Sequence, residues 1–113
     1  MTVGTRLQFD SLRSLAYTSL TSTYVAVGSA LTHPASQILV QNLTDVTCTF
    51  SLDGVNDHFV LPTLGFFLDD ITTNKTSPGG GLYLPIGARL WAKTSGSPSQ
   101  AGIYFTVTYI TSP

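Results

Sequence analysis

The sequence predicts an all-β protein that folds as a single antiparallel β-sandwich, jelly-roll or Ig-like, with about eight strands. Helical periodicity is almost absent, whereas short stretches of alternating apolar and polar residues are common. Clusters of Gly, Pro, Asn and Asp bound these stretches at short intervals, which is typical of sandwiches and barrels. A length of 113 residues suits one domain, and a hydrophobic content of 42% suffices for its core. We therefore expect residues 1–113 to form one domain.

The N-terminal third has the weakest strand pattern. Residues 15–17 and 24–27 are predicted as short strands. Residues 1–11 show no such pattern, and they are a candidate N-terminal arm that becomes ordered only on a partner. The first twenty residues also lack the basic-then-apolar order of a secretion signal, so none is expected.

A β-hairpin is the clearest predicted element. In residues 46–52, apolar side chains at alternate positions point to one face, and Thr or Ser side chains point to the other. Residues 53–57 (DGVND) form a turn-rich loop, and residues 58–61 return as the second strand. Residues 37–41 precede the hairpin as a short buried strand, and residues 42–45 turn the chain into it.

Four more strands are predicted after the hairpin, and they comprise residues 64–68, 82–84, 89–93 and 102–110. The last of them carries large residues on both faces. A strand that is apolar on both faces belongs in the centre of a sheet or against another subunit.

Charge is the unusual feature of the composition. Only 10% of the residues are charged, compared with about 25% in an average soluble domain. A surface with so few charges suits a protein whose faces are covered by neighbours, because the cores of interfaces are depleted in charged residues. An ordinary Thr-rich sandwich fits the composition equally well. The net charge of −1 and the lack of a Lys/Arg cluster argue against nucleic acid. No apolar run approaches the ~18 residues of a membrane helix, so no membrane contact is expected. A lone cysteine excludes an intrachain disulfide.

No catalytic residues are predicted, and we expect no enzymatic activity. His33 lies in a loop before Pro34. Asp57 and His58 are the adjacent acid–imidazole pair, but neighbours in a strand point to opposite faces. No G-x-S-x-G turn is present to expose a serine nucleophile. Cys48 alternates with apolar residues and is predicted to be a small core residue.

No metal and no cofactor are predicted either. Two histidines and one cysteine without close spacing are too few ligands for zinc. Asp53, Asn56 and Asp57 crowd one turn, and residues 69–70 form a second acidic spot, which makes calcium an alternative. Asx residues beside a glycine are also what a hairpin turn requires, and we favour that interpretation.

Carbohydrate binding is the more serious alternative. Trp91, Tyr83 and Tyr104 offer flat rings on which a sugar could stack. Trp91, however, is flanked by Arg89 and Lys93, an arrangement common on solvent faces and at interfaces. We therefore favour a packing role for these aromatic residues. The glycosylation sequons at Asn42 and Asn74 carry no weight without a secretion signal.

Turn motifs give the chain a resemblance to a known family. The segments that carry it are residues 40–45 (VQNLTD), 50–58 (FSLDGVNDH), 69–75 (DDITTNK), 84–87 (LPIG) and 103–109 (IYFTVTY). Together they resemble the small β-sandwich virion proteins of tailed bacteriophages, over roughly residues 36–111. These motifs are structural turns, so no functional residues are carried over with them.

The resemblance implies a non-enzymatic structural protein of the virion. A capsid decoration (cement) protein that bridges capsid subunits is the preferred interpretation, and a neck, tail or fibre-attachment component is the alternative. The expected partners are other virion proteins and further copies of the chain in a homo-oligomer. The physical basis would be apolar and backbone hydrogen-bonded contacts across symmetric interfaces.

Overall fold

The computed structural model of the protein describes residues 6–70 and 84–111. Within these ranges the chain forms nine strands and no α-helix, and one 3₁₀ turn (Tyr17–Ser19) follows the second strand. The strands are β1 (Arg6–Phe9), β2 (Arg13–Ala16), β3 (Val25–Ala26), β4 (Gln37–Asn42), β5 (Cys48–Ser51), β6 (Phe59–Leu61), β7 (Phe66–Asp70), β8 (Trp91–Lys93) and β9 (Gly102–Thr111).

The strands form two antiparallel sheets packed as a sandwich. The five-stranded sheet has the order β1-β9-β4-β7, and β2 pairs with β9 next to β1. The four-stranded sheet has the order β3-β8-β5-β6. Alternate residues of β4 and β9, such as Val40 and Phe105, point inward to meet Phe50 of β5 and Ala92 of β8. The all-β antiparallel sandwich predicted from the sequence is thus confirmed.

Among the described residues, fifteen hydrophobic ones form the buried core, contributed by both sheets and by the loops that cross between them. They are Leu15, Leu20, Val27, Leu31, Ala35, Ile38, Val40, Cys48, Phe50, Leu61, Leu90, Ala92, Ile103, Phe105 and Val107. Cys48 is fully buried among them, as its alternation with apolar residues predicts.

The topology is that of a jelly roll. If β1 and β2 are counted as one interrupted strand, eight strands remain, and the chain crosses between the sheets at every connection except the β5–β6 hairpin. The first and last strands then lie side by side, as expected from two Greek keys folded over one core. Of the two sandwich types predicted, this order is the jelly-roll one.

A β-bulge interrupts the N-terminal strand. Phe9 pairs with Thr108 and Arg13 pairs with Phe105, so three residues of the N-terminal strand face two residues of β9. The extra residue lies between Asp10 and Arg13, and the Asp10 N–H still donates to the Val107 carbonyl (2.9 Å). The structure therefore places Arg6–Phe9, part of the candidate arm, in the sheet. Residues 1–5 lie outside the described residues.

The predicted hairpin and the predicted central strand are both found. β5 pairs with β6 in the register Cys48↔Leu61 and Phe50↔Phe59. β9 lies between β4 on one side and β1 and β2 on the other, so it occupies the middle of its sheet. Of the predicted strand at residues 82–84, only Leu84 is described, and it forms an isolated bridge with Ala35.

Candidate functional surfaces

The outer face of the five-stranded sheet presents large apolar side chains to solvent. Phe9 on β1 is 73% exposed, and Phe66 and Leu68 on β7 are 66% and 63% exposed. Between β1 and β7 lies a shallow groove of about 170 Å³. Phe9 and Leu68 line its two sides, and Leu39 and Thr106 lie between them on the central strands. We call this surface the outer apolar face.

The outer apolar face carries no charge among its described side chains. The register places the following residues on it: Phe9, Ser14, Ala16, Gln37, Leu39, Gln41, Phe66, Leu68, Tyr104, Thr106 and Thr108. Asp70 ends β7 opposite Gln37, so the register also brings an acidic residue to this end of the same face. The polar groups of the side chains named above are neutral amides and hydroxyls, and Thr108 Oγ1 donates to Gln37 Oε1 across the β4–β9 pair (3.2 Å).

The outer face of the four-stranded sheet has a different character, because it carries charges paired with aromatic rings. Lys93 Nζ lies 4.5 Å from the centre of the Tyr24 ring and 3.1 Å from Asp57 Oδ1. The Tyr24 hydroxyl donates to the same carboxylate (2.5 Å). Burial, followed by this bond to Asp57, raises the pKa of Tyr24 to about 12. The hydroxyl therefore stays protonated and donates throughout the neutral range.

The aromatic residues proposed as a sugar platform are not brought together. Trp91 lies on the outer face of the four-stranded sheet, whereas Tyr104 lies on the outer face of the other sheet. Arg89 covers the Trp91 ring at 5.7 Å, and a Cβ built on Gly54 would lie 3.1 Å from the same ring. Tyr83 lies outside the described residues. Trp91 is therefore packed among its own chain neighbours, in line with the favoured packing role.

The acidic turn considered for calcium is held by its own hydrogen bonds. Asp53 Oδ1 accepts the backbone N–H groups of Val55 and Asn56 (both 2.8 Å) and the Ser51 hydroxyl (2.7 Å). The Asn56 and Val55 N–H groups hold the pKa of Asp53 well below its usual value. His58 Nδ1 accepts the Leu52 N–H (2.9 Å), which closes the loop from the other side. These contacts are those of an Asx turn.

Arg13 is a buried residue that was not identified from the sequence, and it fastens the bulge of the N-terminal strand. Arg13 is 3% exposed, and its guanidinium donates to the carbonyl oxygens of Ser29 (2.7 Å), Ser11 (2.9 Å) and Ala30 (3.0 Å). Asp10 lies 3.5 Å from the same guanidinium. The planar fork of five donors suits this arrangement, and lysine could not reproduce it.

His33 joins the same cluster from the loop before β4. The Thr32 hydroxyl donates to both Asp10 oxygens (3.2 Å each), and His33 Nδ1 lies 3.7 Å from Asp10 Oδ2. The His33 ring stacks on Tyr109, with ring centres 3.8 Å apart. Burial of Asp10 acts to raise its pKa. Its pKa nevertheless lies below the usual value, because opposing contacts outweigh burial: hydrogen bonds from the Ser11 N–H and Thr32, and the nearby Arg13 and His33 side chains. The cluster ties the β3–β4 loop to the N-terminal strand.

Asn42 is the buried polar centre at the opposite end of β4. Its side chain is 0% exposed, and Nδ2 donates to the carbonyl oxygens of Val46 (2.9 Å), Leu61 (3.1 Å) and Pro62 (3.2 Å). Oδ1 accepts the N–H (3.1 Å) and the hydroxyl (2.6 Å) of Thr44. The sequon residues Asn42 and Thr44 are both fully buried, so a glycosyltransferase could not reach this asparagine in the folded chain.

The remaining candidates for chemistry do not converge. Burial raises the pKa of the Cys48 thiol, with bonds to Thr44 and Thr94 acting in the other direction. In residues 6–70 and 84–111, no three His, Cys, Asp or Glu side chains lie close enough to hold a metal ion. The same part of the chain has no helix that is long and apolar enough to cross a membrane.

Comparisons with protein-family models, with curated proteins and with solved structures give no match. The surfaces described above and the turn motifs of the sequence are therefore the features that bear on function.

Proposed function

We propose that the protein is a non-enzymatic structural component of a tailed-phage virion, and that it acts as a capsid decoration protein bound to capsid subunits. A place in the neck or tail, as a ring or fibre-attachment component, is the alternative within the same class. The turn motifs over roughly residues 36–111 support the phage assignment. Jelly rolls occur in viral capsid proteins and also in lectins and cupins, so the topology alone does not choose among them.

The observation that carries the proposal is the outer apolar face. Soluble domains normally cover solvent-facing sheets with mixed charges, and they avoid large exposed apolar patches. Here three large apolar side chains, Phe9, Phe66 and Leu68, are each more than 60% exposed on a face whose described side chains are all uncharged. A protein–protein contact removes such a surface from water, which is the main favourable term in association.

The magnitude of this effect suits an assembly contact. Full burial of one Leu or Phe side chain contributes about 1.5–3 kcal/mol. Three such residues therefore supply several kcal/mol, from which the cost of immobilising the partner must be subtracted. Repetition over many identical positions on a particle raises the effective affinity without any new contact. A modest interface is thus sufficient for a protein present at high copy number.

The polar clusters support the same role because each one stiffens a loop. Asp53 closes the β5–β6 loop, Arg13 fastens the N-terminal bulge, and Asn42 joins the ends of three segments. A rigid module loses little conformational entropy when it binds, because its loops are already ordered. These side chains are also engaged with the backbone of their own chain, as expected of structural residues.

The proposal is tested by quantitative mass spectrometry of purified particles of the phage that encodes the chain, after separation of capsids from tails. We expect a fixed copy number per particle in the capsid fraction. A fixed copy number in the tail fraction would instead support the neck or tail alternative. Absence from both fractions would refute the virion assignment.

A further inference from the structure

We propose that β1 is an exchangeable strand, which leaves β9 of its own chain and pairs in the same register with β9 of a second copy. The bulge between β1 and β2 is the hinge, and each chain gives its β1 to the other. The inference goes beyond the proposed function, because it concerns copies of this chain alone and does not depend on a place in the virion.

The first argument is the way in which β1 is attached to the sheet. Its backbone forms an antiparallel ladder with β9, in which Phe9 lies opposite Thr108. Gln8 and Phe9, the two residues of β1 whose side chains the structure describes, are both exposed, and Phe9 is 73% exposed. Release of these two residues therefore uncovers little further apolar surface, and segments that lose few buried apolar contacts open at low free energy.

The second argument is that β2, which pairs with the first half of β9, is held much more firmly. Leu15 is 8% exposed and belongs to the buried core. Arg13 is 3% exposed, and its guanidinium donates to the Ser29 and Ala30 carbonyl oxygens of the β3–β4 loop. Release of β2 would leave these carbonyl groups without their donor and expose Leu15 to water. Opening of the N-terminal strand therefore stops at Arg13.

The hinge comprises residues 10–12, which form the bulge. Ser11 and Leu12 are both exposed, Leu12 at 63%, so they can change conformation without uncovering a buried side chain. The bulge already interrupts the ladder with β9 at this point. Three residues in an extended conformation span roughly 10 Å, about twice the spacing of neighbouring strands, so the hinge can carry β1 to the sheet edge of an adjoining copy.

Asp10 is the latch that keeps the hinge closed. Its N–H donates to the Val107 carbonyl (2.9 Å), and its carboxylate accepts the Thr32 hydroxyl (3.2 Å) and lies 3.5 Å from the Arg13 guanidinium. These contacts join the hinge to β9 and to the β3–β4 loop, and they must break before β1 can cross to another copy. They therefore favour the closed form of an isolated chain.

A second copy is the partner because the vacated edge fits β1 itself. When β1 leaves, residues 108–111 of β9 present unpaired backbone groups, which are a template for a strand. The structure shows the register and the direction in which β1 occupies this edge, so the β1 of another copy forms the same ladder. The closed and exchanged forms differ only at the hinge and in the number of chains, and such exchange is a low-cost route to dimers.

The test is disulfide trapping between two variants, Phe9→Cys and Thr108→Cys, mixed at about 1 mM, the effective concentration of a short flexible linker. Residues directly opposite in an antiparallel pair lie within the distance that a disulfide spans. Thr108 is 6% exposed, so a link from its position to residue 9 of another chain requires an exchanged β1. The native Cys48 is fully buried and does not compete. Mixed dimers are quantified on a non-reducing gel.

The matched control is a mixture of Ser14→Cys and Tyr104→Cys, which are opposite each other in the β2–β9 pair. Ser14 is exposed and Tyr104 is half-buried, so chance collisions between chains favour the control pair. We expect the β1 pair to form at least about tenfold more mixed dimer than the β2 pair, because β2 opens less often. A yield from the β1 pair that is no higher than that of the control would overturn the inference.

The latch is tested by adding Asp10→Asn to the Phe9→Cys chain, and thermal melting verifies that this chain is folded. We expect more mixed dimer at neutral pH, because the hinge loses the charged contact with Arg13. If Asp10→Asn is unfolded, Thr32→Ala replaces it, since it removes the hydroxyl that donates to the same carboxylate. A mixed-dimer yield that does not rise when the latch is weakened in a folded chain would contradict the proposed hinge.

Discussion

Replacement of Asn42 by alanine should destabilise the fold strongly, because this side chain satisfies buried backbone groups from several segments. The substitution removes the donor that serves the Leu61, Pro62 and Val46 carbonyls and the acceptor that serves Thr44. Every one of these bonds involves an asparagine that is fully buried, so water does not replace the lost partner without local opening.

The magnitude follows from the groups that lose a partner. Once Asn42 Oδ1 is gone, the Thr44 hydroxyl can donate to the Val46 carbonyl instead (3.1 Å), and the Pro62 carbonyl keeps the Gly65 N–H (2.9 Å). The buried Thr44 N–H loses its acceptor, and the carbonyl of Leu61, the residue that pairs with Cys48 in the β5–β6 ladder, loses the Asn42 donor. A buried polar group left unpaired costs about 1–3 kcal/mol and the lost bond to the Leu61 carbonyl about 1 kcal/mol, so the substitution costs about 2–4 kcal/mol. For a domain of this size that corresponds to a Tm decrease of about 10–20 °C.

Urea denaturation is the assay, and Trp91 is the intrinsic probe because it is the only tryptophan in the chain. The free energy of unfolding of Asn42→Ala is compared with that of the wild type and of Gln100→Ala, whose side chain is exposed. A loss below about 1 kcal/mol for Asn42→Ala, similar to that of an exposed site, would refute the structural role given to this residue.

Three further predictions follow from other positions. Gly87→Ala should lower the free energy of unfolding by only about 1 kcal/mol, because its backbone is left-handed (φ +92°) but no atom lies within 4 Å of the added Cβ. Gly28→Ala should lower it by at least about 1 kcal/mol more, because its Cβ would lie 2.7 Å from that of Arg13. Equal losses for the two variants in urea denaturation would contradict this prediction. The pKa of Asp53 is lower in the folded chain than in the unfolded one, so its carboxylate stabilises the fold above about pH 4, and this contribution is lost on acidification. Asp53→Asn should therefore lower the Tm at neutral pH and show a shallower decline of Tm below about pH 4, and a parallel decline would refute it. Cys48 should react with a thiol reagent only after unfolding, because it is fully buried and burial raises its pKa; rapid modification of the native chain would contradict its place in the core.

Local sequence pattern was sufficient to predict the β5–β6 hairpin, the central strand β9 and the turn at Asp53. The β5–β6 hairpin was predicted because alternation on both sides of a DGVND turn is a short-range signal. The central position of β9 followed from large residues on both of its faces. The turn role of Asp53 was also favoured, since an Asx residue beside glycine stabilises its own loop.

The buried Arg13 contacts, the N-terminal bulge and the outer apolar face could not be predicted from local pattern. Burial of Arg13 depends on carbonyl groups of Ser29 and Ala30, which only the folded loop brings together. The N-terminal bulge contains no Gly or Pro that would mark it. Phe66 and Leu68 were predicted to lie in a strand, but only the register against β4 decides that they point outward, because a shift of one residue would reverse every side chain.

The most direct test of the central claim is an add-back experiment with virus particles assembled without the chain. Purified protein is titrated onto such particles, and bound protein is measured after sedimentation. The proposed role predicts saturable binding at a fixed number of copies per particle, with denatured protein as the negative control. Binding that does not saturate, or no binding at concentrations at which the folded protein is soluble, would contradict the role of virion structural component.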